Sequence, residues 1–483
     1  MQDWQAAAPR RPCGLLTPIF VRVGALRPRQ TGAGAIALLP RHAPARINGA
    51  GKDADGGVPV TGWLTARTPP RRLPPRPDPE DVMPPSLSRR TALAAGAAAL
   101  AMPGVLRAQP ATVKIGMIHP VTGPLAFGGS QCRLGGQTAV DDINAAGGLK
   151  SMGGAKLEAL PGDAQGKAEI ASSLVDQMAE QKVAGITGCY ASNLALAATQ
   201  TAAKYNIPFS IDSGIADSIT TRGLANVFRF FSNNTTMTNQ AIACLDSLNK
   251  GAGSPAKSAV IVHENSEFGT STAKLLGEKL GGIGIAVKET IGHATPTRDF
   301  TNVVLRIKAA APDLLLITNY PNEYQLLLRT IYQQKVDLVA AYSVSGGGFN
   351  LPFAKDQPQV SQFMIDYNHW HNPHDPRAIA FRKRIEAAGH VYGWEVLFGY
   401  FAVRVLADAI ERAGSADPAK VIPAFAASTF ADDWLPYGPT QFVQGQNQGA
   451  RGLGLQIQDA DIKAIWPAEF ADAKPVFPRP KAS

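Results

Sequence analysis

His369, His371 and His374 lie close enough along the chain to suggest a zinc ion, since imidazole nitrogens are common zinc ligands. No cysteine or acid cluster accompanies them, and the stretch reads instead as a solvated connecting segment. His263-Glu264 begins the H-E-x-x-H pattern of zinc hydrolases but lacks its second histidine. There is no G-x-G-x-x-G after a strand, no phosphate loop ending in Lys-Ser or Lys-Thr, and no G-x-S-x-G elbow. Loop serines without a matched His and Asp are helix caps or turn residues rather than nucleophiles. Cys13, Cys132, Cys189 and Cys244 show neither CxxC nor metal spacing. The last three leave room for one disulfide and one free thiol without selecting a pair. These side chains suit holding a molecule better than transforming one. No metal and no cofactor is expected.

The elements that must position them begin at Val113. Val113 to Ile118 reads as a buried strand ended by Pro120, and Thr122-Gly123-Pro124 forces a tight turn. From about Gly129 a helix follows, with Gly136, Ala139, Val140 and Ile143 on its apolar face, and Gly147-Gly148 stops it. Strand, turn, helix and glycine stop make half of a βαβ unit. The rhythm continues with strands at 156–160, 183–187, 207–211 and 227–231 and a helix at 167–181. It starts afresh after a helix at 235–250, with strands at 258–262, 283–290, 314–318 and 338–342. Two series of this kind predict an α/β chain with two Rossmann-like lobes, each built on a parallel central sheet. A long helix from Trp394 to Ala413 follows the second series and is expected to return to the first lobe. In such sheets ligands sit where loops leave the carboxyl ends of the strands.

Charge narrows the partners. The 483-residue chain carries a net charge of +9. Residues 1–108 hold 15 of its 47 Lys and Arg and 6 of its 38 Asp and Glu, so the 32 basic and 32 acidic residues that remain are balanced. The folded part therefore lacks the basic footprint of a nucleic-acid binder. Residues 1–82 are rich in Pro and Arg without apolar periodicity, and read as a disordered extension produced by a mis-called start. From Met83 the chain resembles a twin-arginine export signal: Ser88-Arg89-Arg90, a mild Ala/Leu/Gly run, and a small residue at Ala108. Ala92 and Leu106 depart from that pattern, and a buried Ala-rich helix is the competing reading. The run, about 15 residues, is short for a bilayer span.

An ordered set of short matches runs through the remainder. It comprises Thr122-Gly123-Pro124 with Gly128-Gly129, Ala139 to Gly148, Thr221-Arg222-Gly223, Glu267-Phe268-Gly269, Arg298-Asp299-Phe300 and Gly399 to Gly414. In this order, over about 113–475, the chain resembles periplasmic solute-binding proteins of the leucine/isoleucine/valine-binding family, the receptors of ABC importers. The resemblance implies the type I periplasmic binding fold, two lobes joined by a three-segment hinge near 228–234, 364–372 and 429–440. Lobe 1 would comprise 109–231 and 369–430, lobe 2 would comprise 232–368 and 431–475, and 476–483 would form a tail.

The family's ligand loops fall, by position, on Ser192 and Asn193 at a helix start, where free backbone N–H groups and the helix dipole suit a carboxylate. They also fall on Tyr190, on Ser213 and Gly214, on Phe268, Tyr320 and Ser343, and on Phe127 in the first loop. Ordinary alternatives stand beside these roles: an N-cap for Ser192, a turn for Ser213-Gly214, core packing for Phe268 and Tyr320. Amino-acid binders of the family place an acid on the second lobe against the ligand's ammonium. The matching stretch here, Ala341 to Gly346, has none. An unpaired buried ammonium is costly, so the expected ligand bears a carboxylate without requiring an α-amino group. Glu323 is the nearest acid that could substitute, which keeps the amino-acid reading open. The resemblance implies a periplasmic monomer that meets a small-molecule ligand and a membrane permease, with no nucleic acid. A sensor domain of the same fold, or an α/β enzyme using the same cleft, are the alternatives.

Overall fold

Residues 112–431 and 434–480 are described by the computed structural model; the extension at 1–82 and the export signal at 83–108 lie outside them. β1 (Thr112–His119) and β2 (Lys156–Asp163) flank α1 (Ala126–Ala145), which starts before the expected Gly129. Then come α2 (Ala168–Glu180), β3 (Ile186–Gly188), α3 (Ser192–Lys204), β4 (Phe209–Ile211) and β5 (Val227–Arg229). These strands pair in parallel, and the loops after β3 and β4 leave the same edge.

The second series runs α4 (Asn234–Gly251), β6 (Ser258–Glu264), α5 (Glu267–Lys279), β7 (Ala286–His293), α6 (Thr301–Ala310), β8 (Leu314–Thr318), α7 (Pro321–Gln333), β9 (Ala340–Val344) and β10 (Ile365–Asn368). All five residues of β8, LLLIT, are buried. A strand covered by helices on both faces has no polar side to present. The chain then returns through α8 (Pro376–Ala387), α9 (Trp394–Ala413) and α10 (Pro418–Ala426). It ends in β11 (Phe442–Val443), β12 (Gln446–Asn447), β13 (Leu453–Gln458) and β14 (Asp461–Trp466).

Two seven-stranded sheets result, ordered β11-β12-β5-β4-β3-β1-β2 and β14-β13-β10-β9-β8-β6-β7. The two-lobed α/β architecture is as expected, with antiparallel edges added by β11–β12 and by β13–β14. α9 does return to the first lobe. A Cβ on Gly135 would stand 1.9 Å from the Val396 carbonyl oxygen, and one on Gly399 2.1 Å from that of Cys132. Only glycine at both positions lets α1 and α9 cross with their backbones in contact.

The chain passes between sheets at 230–233, 369–375 and 448–452. The third crossing lies well past the expected 429–440. That segment belongs to the first lobe, because Phe430 and Trp434 pack on Phe401 and Tyr400 of α9, and β12 pairs in parallel with β5 through Gln446 and Arg229. The boundary expected at 430/431 therefore moves to the segment after Asn447. Residues at the start of the expected tail are anchored to the second lobe, by Val476 N–H on Gln456 Oε1 and Arg479 N–H on the Val339 carbonyl. Among the described residues no helix is long and apolar enough to cross a membrane.

Candidate ligand cavity between the lobes

The loop after β3 carries Tyr190 with φ of +67°, a conformation an L-residue needs help to hold. Help comes from Asp212, just past β4. Its Oδ1 accepts the Tyr190 N–H at 3.0 Å and its Oδ2 lies 2.7 Å from His119 Nε2, both carboxylate and imidazole being buried. Ser192 opens α3 without capping it: Oγ instead accepts the Ala216 N–H at 3.2 Å. The N-cap reading of Ser192 is thereby replaced, and the first N–H groups of α3 have no side-chain cap. Ser213 Oγ sits 3.2 Å from Cys132 Sγ.

Beneath this wall Arg229 is fully buried. Its guanidinium donates to the carbonyls of Gly214 and Ala216 at 2.9 and 2.8 Å, to Gln446 Oε1 at 2.7 Å and to Thr220 Oγ1 at 3.2 Å. Burial lowers it to about 9, so it remains a cation at neutral pH.

From the second lobe, Phe268 in the first turn of α5 and Tyr320 just ahead of α7 face the same space. Ring centroids run Phe268–Tyr320 5.6 Å, Tyr320–Tyr190 5.9 Å, Tyr190–Trp394 6.4 Å, Trp394–His369 5.8 Å and His369–Phe398 4.5 Å. Tyr190, Phe268, Tyr320, His369 and Trp394 line a pocket between the lobes together with Ser192, Ser213, Ile215, Ser345 and Gly347. Apolar rings with a few convergent polar groups are the usual lining of a small-molecule site. Outside it the lobes touch through Ser218 Oγ on Glu267 Oε1 at 3.1 Å.

Of the nine residues expected at the site, Tyr190, Ser192, Ser213, Phe268 and Tyr320 meet at the cavity. Phe127, Asn193, Gly214 and Ser343 do not line it. Gly214 packs against Ile219 and the Ser192 backbone, where a Cβ would come within 2.9 Å of Ile219 Cδ1. Ser343 lies within β9, its Oγ 3.3 Å from both Tyr324 OH and the Ile365 carbonyl. Because β9 runs two residues beyond the expected 338–342, the loop position falls on Ser345 instead. His369 is a second correction. The crossing that starts there is no solvated linker, for His369, Trp370 and His371 are only 1–4% exposed. Trp394 was legible only as a helix residue. Its indole, like the His369 ring, lines the cavity because the first residue of α9 lies beside the start of the second crossing, the two ring centroids 5.8 Å apart.

Among the described residues no acid lines the cavity. Glu264 is spent internally, accepting Ser266 N–H, Ser266 Oγ–H and Gly269 N–H within 2.7 Å. Burial pushes Glu323 up, raises Asp366 to about 6 and raises Glu395 to about 8, so Glu395 is neutral at pH 7. The thiols of Cys132, Cys189 and Cys244 are buried and unbridged. Burial raises all three, with the Asp212 charge adding to the rise at Cys132 and Cys189. They are therefore protonated and unreactive.

A two-lobed α/β body with a pocket between its lobes, lined by rings and a few hydroxyls, is the architecture of a ligand-capturing protein. The model of the periplasmic binding protein family matches residues 112–460, and the chain belongs to that family. Among curated relatives, the Leu/Ile/Val-binding protein homolog 8 of Brucella abortus (strain 2308) is 28% identical over 392 residues, covering 77% of this chain and 95% of the relative. Two solved structures share the fold at 20% identity and TM-score 0.64. One is the branched-chain amino acid transporter substrate-binding protein of Streptococcus pneumoniae in complex with isoleucine, aligned over 76% of this chain and 100% of the other. The other is an ABC transporter solute-binding protein from R. palustris in complex with benzoate, aligned over 73% and 95%.

Proposed function

We propose that this chain is the extracytoplasmic receptor of an ABC importer and captures a small carboxylate-bearing ligand, an aromatic or short organic acid in preference to an α-amino acid. The observation that carries this reading is the composition of the cavity wall. Aromatic rings and serine hydroxyls surround the start of α3, and no ionised carboxylate stands among them. A ligand carboxylate placed at that helix start would accept from Ser192 Oγ–H and from uncapped backbone N–H groups, with the helix dipole in its favour. An α-ammonium in the same cavity would find no counter-charge, at a cost of several kcal/mol. Flat rings favour a flat apolar body, each good ring pair adding about 1 kcal/mol beyond burial.

Closure follows from the ligand's contacts in both lobes: Tyr190, Ser192 and Ser213 on one side, Phe268, Tyr320 and Ser345 on the other. A solute that touches both stabilises the closed state by its differential affinity and by nothing else. The closed form would be what a permease recognises, the receptor acting as a monomer without altering its ligand. Export by the twin-arginine-like segment at 83–108 would bring it to the periplasm.

A thermal-shift panel tests the reading. At a ligand concentration about a hundredfold above Kd the native state gains roughly 2.7 kcal/mol. Benzoate or phenylacetate raising Tm by several degrees, with leucine and phenylalanine inactive, supports it; the reverse order overturns it.

A further inference from the structure

His369 and Trp394 share an unusual condition. Each is buried, each lines the cavity, and neither His369 nitrogen nor Trp394 Nε1 has a hydrogen-bond partner. Ring packing restricts where these atoms find one. His369 lies nearly parallel to Phe398 at 4.5 Å, edge-on to Phe231 at 4.9 Å and beside Trp394 at 5.8 Å. Among these neighbours only the indole N–H is polar, and it is itself a donor in need of an acceptor.

We infer that His369 and Trp394 read a neutral hydroxyl on the ligand, so that the preferred solute is an aromatic monocarboxylic acid bearing a hydroxyl substituent. The inference rests on the organic-acid reading above and narrows it.

The donor inventory makes the case. Indole N–H only donates, whereas neutral imidazole presents one donor and one acceptor whichever tautomer it adopts. Burial, with the Arg229 guanidinium nearby, holds His369 down at about 3, so the ring is neutral at physiological pH. A second carboxylate here would bury another anion with no hydrogen-bonded counter-charge, and an ammonium would bury a cation and strand the indole N–H. A neutral hydroxyl brings no charge and pairs one imidazole nitrogen and the indole, donating to the His369 acceptor while its oxygen accepts from Trp394. Unpaired buried polar atoms are rare, and sites built around a substrate hydroxyl discriminate against its absence. Ser345 Oγ, also buried and without a partner, adds a further adaptable group to the same wall.

Calorimetric titration of the full chain with benzoate, 4-hydroxybenzoate, 3-hydroxybenzoate, terephthalate and leucine tests it. One hydroxybenzoate should bind about tenfold tighter than benzoate, and terephthalate weaker than either. His369→Phe keeps a ring between Phe398 and Trp394 and removes both nitrogens. In that variant the preference should fall to within about twofold, while Trp394→Phe should lower it in part. Circular dichroism and Tm confirm that the variants fold. Equal binding of benzoate and both hydroxybenzoates by the wild type overturns the inference, as does a preference that survives His369→Phe or an advantage for terephthalate. If leucine binds and no aromatic acid does, the organic-acid reading itself falls, a distinct result.

Discussion

The two sides of the cavity are built differently. On the loops after β3 and β4, the Tyr190 backbone and the Ser192 and Ser213 hydroxyls have protein partners, and Arg229 ties the carbonyls behind them. On the hinge side, His369, Trp394 and Ser345 present polar atoms with none. A braced surface holds its shape whether or not a ligand is present. An unpaired one gains its hydrogen bonds only when something fills the space. The difference assigns shape to the loops after β3 and β4 and chemical selection to His369, Trp394 and Ser345.

That division is most severely tested at Arg229. Replacing it with Met leaves the Gly214 and Ala216 carbonyls without their donor in a buried site. The chain should lose roughly 3–5 kcal/mol of stability by chemical denaturation, and acid binding with it. A loss below about 1 kcal/mol would mean the wall is not braced this way. Tyr190→Ala comes next. It removes the ring that meets both Tyr320 and Trp394, and should weaken benzoate binding about a hundredfold, roughly 2.7 kcal/mol. A change within about threefold would displace the ligand from between the lobes.

Acid–base behaviour sharpens the same contrast. Glu395, next to Trp394, is raised by burial to about 8, so between its unfolded value and pH 8 the native state holds a proton that the unfolded chain has released. Stability therefore falls as pH rises through that window. His369 and His371, lowered to about 3 chiefly by burial, act in the opposite sense, but only below about pH 6.5, where the unfolded chain takes up protons that the native state refuses. From pH 6.5 to 8 Glu395 acts without that opposition, and the chain should lose roughly 2 kcal/mol. Glu395→Gln should abolish the fall; a slope unchanged in that variant would assign it elsewhere. The smallest effect belongs to Ser345→Ala. Ligand affinity should drop about fivefold with Tm of the ligand-free chain unmoved, because its hydroxyl is tied to nothing.

Much of this was legible in the chain itself. Fully apolar runs such as Leu314 to Ile317, set between helices, announce buried parallel strands, and the two series announce two lobes. Aromatic and serine positions at the strand ends could be placed because their offset from each strand is short. The failures have physical causes. Trp434-Leu435-Pro436-Tyr437-Gly438 has linker composition, yet its tryptophan is anchored on Tyr400 and Phe401, so the third crossing comes later. Strand β9 slips by two residues, which preserves the side-chain alternation and exchanges Ser343 for Ser345. His369 looked like part of a wet connector because nothing local in the sequence marks the Phe231 and Phe398 rings that bury it. Long-range packing, invisible to periodicity, decided the placement of Trp434 and of His369.

The most direct measurement is a crystal structure of the chain grown with benzoate. The ring should be seated among Tyr190, Tyr320 and Trp394, with its carboxylate at the first turn of α3 beside Ser192 and Ser213. Benzoate bound outside the cleft, or a carboxylate turned away from α3 onto a cationic side chain, would contradict it.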